Sequence, residues 1–367
     1  MQRSPLMAAL AAPVVLCLLV PASARALETS AGGVRIEKMA EGLVEPWSLA
    51  FLPDASLLVT LRGGALVRLP ADGGAPKMIG GLPEVFAEGQ GGLFDVLVPR
   101  DFAQTGEILL SYAALRPEGG ATAVASARLD GDRLTGLREI WRMAEATSSG
   151  RHFGGRLLEL PDGTILLTTG DRGEGMPAQD PGRAPGKIVR IARDGSAPPG
   201  NPDPAHPFTW TLGHRNPQGI AIDAQGRVWA SEHGAMGGDE INRIEPGRNY
   251  GWPLITYGRD YDGSTIGIGT AAPGLEQPAR YWDPSIAPSG HIVYSGRLWP
   301  EWAGDHFVGS LKFDHIARLD PDRTGWPEEI LRDRATGRVR DIREGPDGAI
   351  WFLSVERRAV YRMVPDR

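Results

Sequence analysis

The residues best suited to proton transfer lie in two short glycine-rich segments. His152 stands inside Gly150–Arg156, and Asp171 follows the apolar run ILLTT as part of a Gly-Asp pair. Imidazole titrates near neutral pH and can take a proton from a hydroxyl group. A carboxylate that holds the second ring nitrogen stabilises the protonated ring. These segments predict a general base at His152 oriented by Asp171, although a histidine between glycines is also compatible with a structural role.

The remaining histidines favour a structural interpretation. These are His206, His214, His233, His291, His306 and His315. The sequence has no H-x-x-x-H or H-E-x-x-H pair, which argues against a zinc site. It also lacks G-x-S-x-G and Walker loops, so neither serine hydrolase nor nucleotide chemistry is indicated.

A possible cation site follows a second glycine-rich loop. Asp239 and Glu240 come directly after Gly234–Gly238. Paired carboxylates and flexible backbone carbonyls are the hard oxygen ligands that calcium prefers. A salt bridge or a turn cap is the simpler alternative for the same two residues.

Several cations and aromatic residues lie at the ends of the strand-like runs. If the cations meet, they form a local anion site in an otherwise acidic chain. Taken singly, each cation is a solvated surface charge, and each aromatic ring is a core residue or a flat face for a sugar or cofactor. The cations are Arg215, Lys312, Arg338 and Arg340, and the rings are Tyr261, Tyr281 and Trp282.

The elements that position these residues repeat along the chain. Six units have the form strand, polar turn, strand, and their turn aspartates are 42 to 82 residues apart. Such spacing suits four-stranded propeller blades with insertions. The units are Trp47–Thr60, Gly91–Tyr112, Phe153–Gly170, Pro217–Glu232, Ser289–Leu311 and Arg340–Val355.

We therefore predict an all-β fold, a six-bladed β-propeller of four-stranded antiparallel blades over residues 27–367. The 49 glycines and 31 prolines support many short strands and turns. A β-sandwich or a two-domain β protein is the alternative. In a propeller, strand ends that are distant in sequence converge on the central axis, so the polar segments would share one pocket.

Residues 1–26 have the features of a signal peptide. Arg3 precedes the apolar run Leu6–Val20, and small residues lead to Ala26. An uncleaved anchor is the alternative. Cleavage after Ala26 would take the formal net charge from −6 to −8 and remove Cys17, the only cysteine. We expect a periplasmic or secreted protein without disulfides, with no nucleic-acid binding and no stable membrane insertion.

Eight motifs together resemble the soluble quinoprotein glucose dehydrogenases and aldose sugar dehydrogenases. They span Trp47 to Trp351 in the order PWSLAFLPD, GQGGLFDV, HFGGRLLELPDGT, GHRNPQGIA, EHGAMGGDEIN, NYGWP, PSIAPSG and VRDIREGPDGAIW. The resemblance implies a six-bladed propeller that binds pyrroloquinoline quinone (PQQ) and calcium and oxidises aldoses to lactones. An unidentified electron acceptor would reoxidise the cofactor.

The resemblance also implies a role for individual residues. His152 would take the proton of the anomeric hydroxyl while hydride passes to calcium-bound PQQ, and Asp171 would orient His152. The carbonyls of Gly234 and Ala235 would bind the active-site calcium, although the family usually has Pro and a basic residue at positions 235 and 236. Glu240 and the carbonyl of Tyr250 would hold a second calcium. The implied cofactor contacts are Gln90, Arg215, Asn216, Tyr261, Lys312, Arg338 and Arg340.

Two other functions are compatible with such a propeller. A calcium-dependent hydrolase such as a lactonase would need calcium held by carboxylates at the axis. A non-enzymatic glycan-binding propeller would need neither the His152–Asp171 pair nor the cation cluster.

Overall fold

The computed structural model describes residues 26–71 and 74–366. Apart from Ala26, the predicted signal peptide lies outside the described residues. Within those ranges, none of the helices has the length and apolar character needed to span a membrane. In the part of the chain that the structure describes, the helical elements are α1 (Phe102–Thr105) and two 3₁₀ turns, Met176–Gln179 and Pro300–Trp302.

Short antiparallel strands make up most of the regular secondary structure of the described residues. In chain order they are β1 (Leu27–Thr29), β2 (Gly32–Ala40), β3 (Pro46–Phe51), β4 (Leu57–Leu61), β5 (Ala65–Leu69), β6 (Lys77–Ile79), β7 (Leu93–Leu97), β8 (Glu107–Arg116), β9 (Gly119–Asp130), β10 (Arg133–Arg142), β11 (Leu157–Glu159), β12 (Ile165–Thr168), β13 (Lys187–Ile191), β14 (Thr209–Leu212), β15 (Pro217–Ile222), β16 (Val228–Glu232), β17 (Asp239–Ile244), β18 (Arg280–Trp282), β19 (Pro288–Val293), β20 (His306–Ser310), β21 (Ile316–Leu319), β22 (Glu328–Leu331), β23 (Val339–Glu344), β24 (Ile350–Ser354) and β25 (Ala359–Pro365).

These strands form six sheets, which confirms the predicted six-bladed propeller. Blades 1 to 5 are β3–β6, β7–β10, β11–β14, β15–β18 and β19–β22, and each has four strands. Blade 6 has the order β1-β2-β25-β24-β23 and therefore has five strands rather than the predicted four. The extra strand arises because the amino-terminal β2 pairs with the carboxy-terminal β25, which closes the ring, and β1 then pairs with β2.

The six predicted strand–turn–strand units are the first two strands of the six blades. Their turn aspartates explain the recurring sequence pattern. For example, Asp162 Oδ1 accepts the N–H of Thr164 at 3.0 Å, and Asp347 Oδ1 accepts the N–H of Ala349 at 3.1 Å. Such side-chain contacts mimic a backbone turn and favour Asp at that position. The first strands of neighbouring blades contact each other in a ring, so their ends meet at the axis.

The hydrophobic core lies between consecutive blades. Leu58 of blade 1 packs in one cluster with Leu110 of blade 2, and Ile188 of blade 3 shares another with Ile220 of blade 4. Six interfaces of this kind join the blades around the ring. Burial of each such aliphatic side chain contributes roughly 1.5–3 kcal/mol. The ring therefore holds its inner strand ends in fixed positions.

A buried ionic network ties the inner strands together near the axis. Arg156 Nη1 lies 2.8 Å from Asp341 Oδ1, and Arg343 Nη2 donates to Asp95 Oδ1 at 3.0 Å. Arg156 also donates through Nη2 to the carbonyl of Arg340 at 2.9 Å. Removal of one member of a buried pair leaves an uncompensated charge and costs about 3–5 kcal/mol. The network fixes the backbone at Arg340, one of the predicted cofactor contacts.

Candidate active site

A cavity of about 570 Å³ lies where the inner strand ends of the blades converge. Every blade, or the loop beside it, contributes to the wall. The lining residues are Glu45, Pro46, Trp47, Arg62, Gly89, Gln90, Phe94, Phe153, Gly154, Asn216, Gln218, His233, Ala287, Leu311, Lys312, Arg338, Arg340 and Val355. The wall thus combines aromatic faces with polar and cationic groups.

The cavity wall carries an excess of positive charge. Among the described lining residues, Glu45 is the one acid, and it pairs with Arg62 at 2.7 Å. Lys312, Arg338 and Arg340 have no such partner in the wall. Burial, followed by repulsion from Arg156 and Arg338, lowers the pKa of Arg340 to about 9. A partly buried cation whose charged form is destabilised favours a bound anion, because the anion stabilises that charged form.

Trp47 provides an aromatic face for two cations, the wall residue Arg340 and Arg156 of the buried ionic network. The Arg340 guanidinium carbon lies 4.8 Å from the Trp47 ring centroid, and that of Arg156 lies 4.1 Å away. Guanidinium groups are attracted to the face of an indole at such distances. The arrangement presets Arg340 at the cavity wall without the need for an acidic partner.

His152 and Asp171 form a short hydrogen bond beside this cavity: neither residue lines it, but Gln90 and Phe153, which adjoin His152, do. His152 Nδ1 lies 2.6 Å from Asp171 Oδ1. The ionised carboxylate can only accept, so the proton lies on Nδ1 and the Nε2 lone pair is available in the neutral ring. Among the described residues, none hydrogen-bonds to His152 Nε2. The pair is therefore arranged to accept a proton at Nε2.

The surroundings set the charge states of this pair. Burial lowers the pKa of His152 below its usual value, and Arg215 and Arg151 lower it further, while Asp171 raises it. Burial opposes ionisation of Asp171, but its hydrogen bonds and the charge of His152 hold the pKa of Asp171 below its usual range. Asp171 is thus a carboxylate and His152 a neutral base near pH 7.

The backbone at His152 is held in an unusual conformation. Its φ is +53°, in the left-handed region that side chains other than Gly rarely adopt. Gln90 Oε1 accepts the His152 N–H at 2.8 Å, and the Arg172 guanidinium donates to the carbonyl of Arg151 at 2.6 Å. Gly170 is required beside it, because a Cβ there would lie 2.1 Å from the His152 carbonyl oxygen.

The predicted cofactor contacts differ in their positions relative to the cavity. Gln90, Asn216, Lys312, Arg338 and Arg340 line the cavity. Arg215 lies next to Asn216 and acts electrostatically on His152. Tyr261 is 71% exposed and does not line the cavity, so the structure does not bring it to the other candidates.

The predicted active-site calcium loop is anchored by Asp239. Asp239 Oδ1 accepts the N–H of Gly234 at 2.8 Å, and Oδ2 accepts the N–H of Ala287 at 2.8 Å. Each oxygen thus has a backbone partner, and Asp239 holds the loop in shape. This leaves backbone carbonyls, such as those predicted at Gly234 and Ala235, as the available oxygen donors of the loop.

Glu240 lies in a second, more acidic environment. The Asn242 amide donates to Glu232 Oε1 at 3.2 Å and to Glu240 Oε2 at 3.1 Å. Burial and repulsion from Glu232 raise the pKa of Glu240 to about 8. Within the described residues, no group of three or more His, Cys, Asp or Glu is placed to hold a metal. A cation here would need backbone oxygens as well, and the carbonyl of Tyr250 is the predicted one.

Several residues of the site escaped the sequence analysis. His233, interpreted as structural, lines the cavity, and its Nε2 donates to the carbonyl of Pro288 at 2.7 Å. Trp47 and Trp252 lie in motifs that pointed to the family, but no role was assigned to their rings. The sequence around Arg62 gave no indication of a functional role, because Arg62 follows an ordinary buried strand.

Six blades around a cationic axial cavity, with a His–carboxylate pair beside it, define a β-propeller with an enzyme-like pocket. A family model described as glucose / sorbosone dehydrogenase matches residues 43–362. The match covers most of the chain, and the chain belongs to this family.

Known proteins of this family resemble the chain over nearly its whole length. The aldose sugar dehydrogenase YliI of Escherichia coli K12 is 40% identical over 344 residues, which cover 90% of this chain and 92% of that protein. The apo crystal structure of the soluble E. coli aldose sugar dehydrogenase superposes with a TM-score of 0.85 at 37% identity, over 90% of this chain and 99% of the other.

A cofactor-bound structure is also similar. The PQQ-bound form of the aldose sugar dehydrogenase of Streptomyces coelicolor has a TM-score of 0.77 and 26% identity, and covers 90% of this chain and 98% of the other. These proteins identify the present chain as a member of a sugar dehydrogenase family.

Proposed function

We propose that this protein is a periplasmic or secreted quinoprotein that oxidises aldoses at the anomeric carbon to lactones, with PQQ and calcium as cofactors. The observation that carries the proposal is the position of the His152–Asp171 pair beside a cavity whose wall holds three cations that have no ion-pair partner among the described residues. A similar protein with bound PQQ supports the choice of cofactor. Small-residue cleavage signals near Ala26 support export.

The cavity wall suits PQQ in charge and in shape. PQQ is a flat tricarboxylate, and Lys312, Arg338 and Arg340 offer a point charge and two planar donors for its carboxylates. Trp47 offers an aromatic face nearby. Asn216 has its Oδ1 occupied by the N–H of Gly154 at 3.1 Å, which directs the amide nitrogen elsewhere. When bound, PQQ supplies a two-electron acceptor, and calcium makes that acceptor more electrophilic.

Residues of the chain itself would carry out the proton transfer. His152 Nε2 takes the proton of the anomeric hydroxyl as that carbon is oxidised, and Asp171 stabilises the resulting imidazolium. The conformation of His152 is set before the substrate arrives, because Gln90 and Arg172 hold the neighbouring backbone. Binding energy is then not needed to orient the base.

Calcium is assigned to two sites with different donors. The loop at Gly234 and Ala235 would provide carbonyl oxygens beside the cavity, and Glu240 with the Tyr250 carbonyl would provide the second site. The raised pKa of Glu240 supports the second assignment, because a divalent cation would compensate the negative charge at this partly buried position. A lactonase-type hydrolase is less well supported, since cations rather than carboxylates dominate the axial cavity wall.

Dye reduction tests the proposal. The mature protein, loaded with PQQ and calcium, is mixed with an artificial electron acceptor and a panel of aldoses. We expect sugar-dependent dye reduction, with no reduction in the absence of PQQ. Tight PQQ binding without reduction by any aldose would overturn the substrate class. The absence of PQQ binding would overturn the cofactor assignment and favour the hydrolase or glycan-binding functions.

Replacement of Arg340 tests the anion site separately. Arg340→Met should weaken PQQ binding about 10- to 100-fold, because one charge-assisted contact is worth roughly 1.5–3 kcal/mol. Arg362→Met is the matched control: its guanidinium also lies over an indole, that of Trp351, but on β25, the middle strand of the same blade and outside the cavity lining. Spectroscopic titration with PQQ measures both. Equal weakening in the two variants, or none in Arg340→Met, would contradict the assignment.

A further inference from the structure

The indole of Trp252 contacts the predicted catalytic pair directly. Trp252 Nε1 donates to Asp171 Oδ2 at 2.7 Å. The other carboxylate oxygen, Oδ1, accepts His152 Nδ1 at 2.6 Å and the N–H of Gly173 at 2.8 Å. Trp252 is therefore the donor that distinguishes one carboxylate oxygen from the other.

This contact limits the rotation of the carboxylate. A carboxylate has two equivalent oxygens, and donors on one side alone leave it free to turn about its terminal bond. With His152 on Oδ1 and Trp252 on Oδ2, rotation in either direction breaks a hydrogen bond in a buried place. The His152 ring, which Asp171 holds through Nδ1, is constrained in turn.

Trp252 is itself fixed by backbone contacts. Its N–H donates to the carbonyl of Gly213 at 2.9 Å, and its carbonyl accepts Gln179 Nε2 at 2.7 Å. Gln179 and Asn249 exchange amide hydrogen bonds of 2.7 and 3.1 Å. These contacts place the indole between the turn at Met176–Gln179 and the loop that precedes Arg215.

The Trp252 ring also faces one of the predicted cofactor-binding cations. The Arg215 guanidinium carbon lies 5.2 Å from the Trp252 ring centroid. A cation within about 6 Å of an indole face is attracted to it. The edge of the Trp252 indole thus contacts the His152–Asp171 pair through Asp171, and its face contacts Arg215 of the predicted anion site.

We propose that Trp252 is a positioning residue of the sugar dehydrogenase site, which holds Asp171, and through it His152, in the productive orientation and joins this pair to Arg215. The inference rests on the proposed function, since it assigns a role in the same reaction. Trp252 acts through Asp171 and Arg215 and is not the group that transfers the proton.

The proposal makes a prediction about the free protein. The charged groups that act on His152 are Asp171, Arg215 and Arg151. Loss of the Trp252 N–H would leave more negative charge on the carboxylate, which would stabilise the imidazolium. The pKa of His152 should therefore rise by about half a pH unit or more, since hydrogen bonds to a carboxylate shift neighbouring titrations on this scale.

The test compares Trp252→Phe with Trp282→Phe. Trp282 is a matched control, because its Nε1 also donates to a carboxylate, Glu328 Oε2 at 3.0 Å, and it lies in blade 4 on β18. NMR titration of the imidazole nitrogens in cofactor-free protein measures the His152 pKa, with the signal assigned by its loss in His152→Gln. Trp252→Tyr, which also lacks Nε1, provides a second variant if Trp252→Phe does not fold.

We expect the His152 titration to move to higher pH in the Trp252 variant and to stay in place in Trp282→Phe. In the loaded enzyme, the acidic limb of kcat/KM should move in the same direction, with kcat about 3- to 10-fold lower. An unchanged His152 titration, or the same shift in both variants, would overturn the proposal. Because the NMR titration needs neither cofactor nor sugar, its result is independent of whether the proposed function is correct.

Discussion

Two histidine–carboxylate pairs lie within the same part of the molecule but have different surroundings. His152 contacts Asp171 at 2.6 Å, and its side chain is 12% exposed. His214 contacts Glu232 at 2.8 Å, and its side chain is fully buried. The geometry of the hydrogen bond alone does not distinguish a catalytic pair from a structural one.

The two pairs differ at Nε2, the ring nitrogen that does not face the carboxylate. His214 Nε2 accepts a hydrogen bond from Thr211 Oγ1 at 2.9 Å, and its ring stacks on Tyr250 at 4.7 Å between centroids. His152 Nε2 has no hydrogen-bond partner among the described residues, and the side chain is partly exposed beside the cavity residues Gln90 and Phe153. A histidine can move protons only when its second nitrogen reaches a reacting group. The His152–Asp171 pair is therefore suited to proton transfer. The His214–Glu232 pair is suited to a structural role, because Glu232 accepts the Arg215 N–H and shares the Asn242 amide with Glu240.

The largest predicted difference between the two pairs is the effect on kcat of replacing their carboxylates, Asp171 and Glu232. Asp171→Asn should lower kcat roughly 10²- to 10⁴-fold, because an amide can stabilise the wrong tautomer and cannot stabilise imidazolium. Glu232→Gln should keep kcat within about tenfold of the wild-type value but lower the free energy of unfolding by about 1–3 kcal/mol, since buried hydrogen bonds are lost. Steady-state kinetics and urea denaturation separate the two effects. Similar losses of kcat in both variants would remove the distinction between the pairs.

The second pair also adjoins the candidate calcium site. Because the pKa of Glu240 is raised to about 8, the folded protein without calcium keeps a proton that the unfolded chain releases near pH 4.5. Stability should therefore fall as pH rises from about 4.5 through 8, and calcium must displace this proton. We expect calcium affinity of the apoprotein to be about 100-fold weaker at pH 6 than above pH 8.

Calorimetric titration at several pH values measures this linkage. Glu240→Gln should lose both the proton release and the rise in melting temperature caused by calcium. Retention of both effects in that variant would place the cation elsewhere. Chelation of the loaded enzyme should lower activity as well as melting temperature.

The smallest predicted effect is the position of the acidic limb of the activity profile. Burial lowers the pKa of His152 below the ordinary value of 6.5, and a base acts in its neutral form. Therefore kcat/KM should fall as pH decreases, with its midpoint below 6.5. A midpoint above 6.5 would show that another group controls the reaction or that His152 gains more from Asp171 than it loses through burial.

The fold was predictable because the repeated turn carries a local signal. Turn residues such as Asp162 and Asp347 bond to their own backbone, and the flanking apolar runs form the inner hairpins. The fifth strand of blade 6 was not predictable, because the pairing of β2 with β25 joins residues from opposite ends of the chain.

The site was predictable only in part, because some of its contacts also join residues that are distant in sequence. His152 and Asp171 are 19 residues apart in adjacent segments, and their contact follows from strand pairing. Trp252 lies 81 residues from Asp171 and reaches it through a loop, for which sequence spacing gives no rule. Tyr261 is an exposed ring in a loop outside the cavity lining, and its predicted cofactor contact rested on residue type and family resemblance rather than on a position that the strands determine.

The most direct test of the proposed chemistry is a single turnover by the loaded enzyme. Wild type, His152→Gln and His214→Gln, each saturated with PQQ and calcium, are mixed anaerobically with an oxidisable aldose while the cofactor spectrum is followed. We predict equal PQQ binding by wild type and His152→Gln, a reaction roughly 10²- to 10⁴-fold slower in His152→Gln, and one within about tenfold of wild type in His214→Gln. Sugar oxidation by His152→Gln at the wild-type rate would contradict the assignment of His152 as the base.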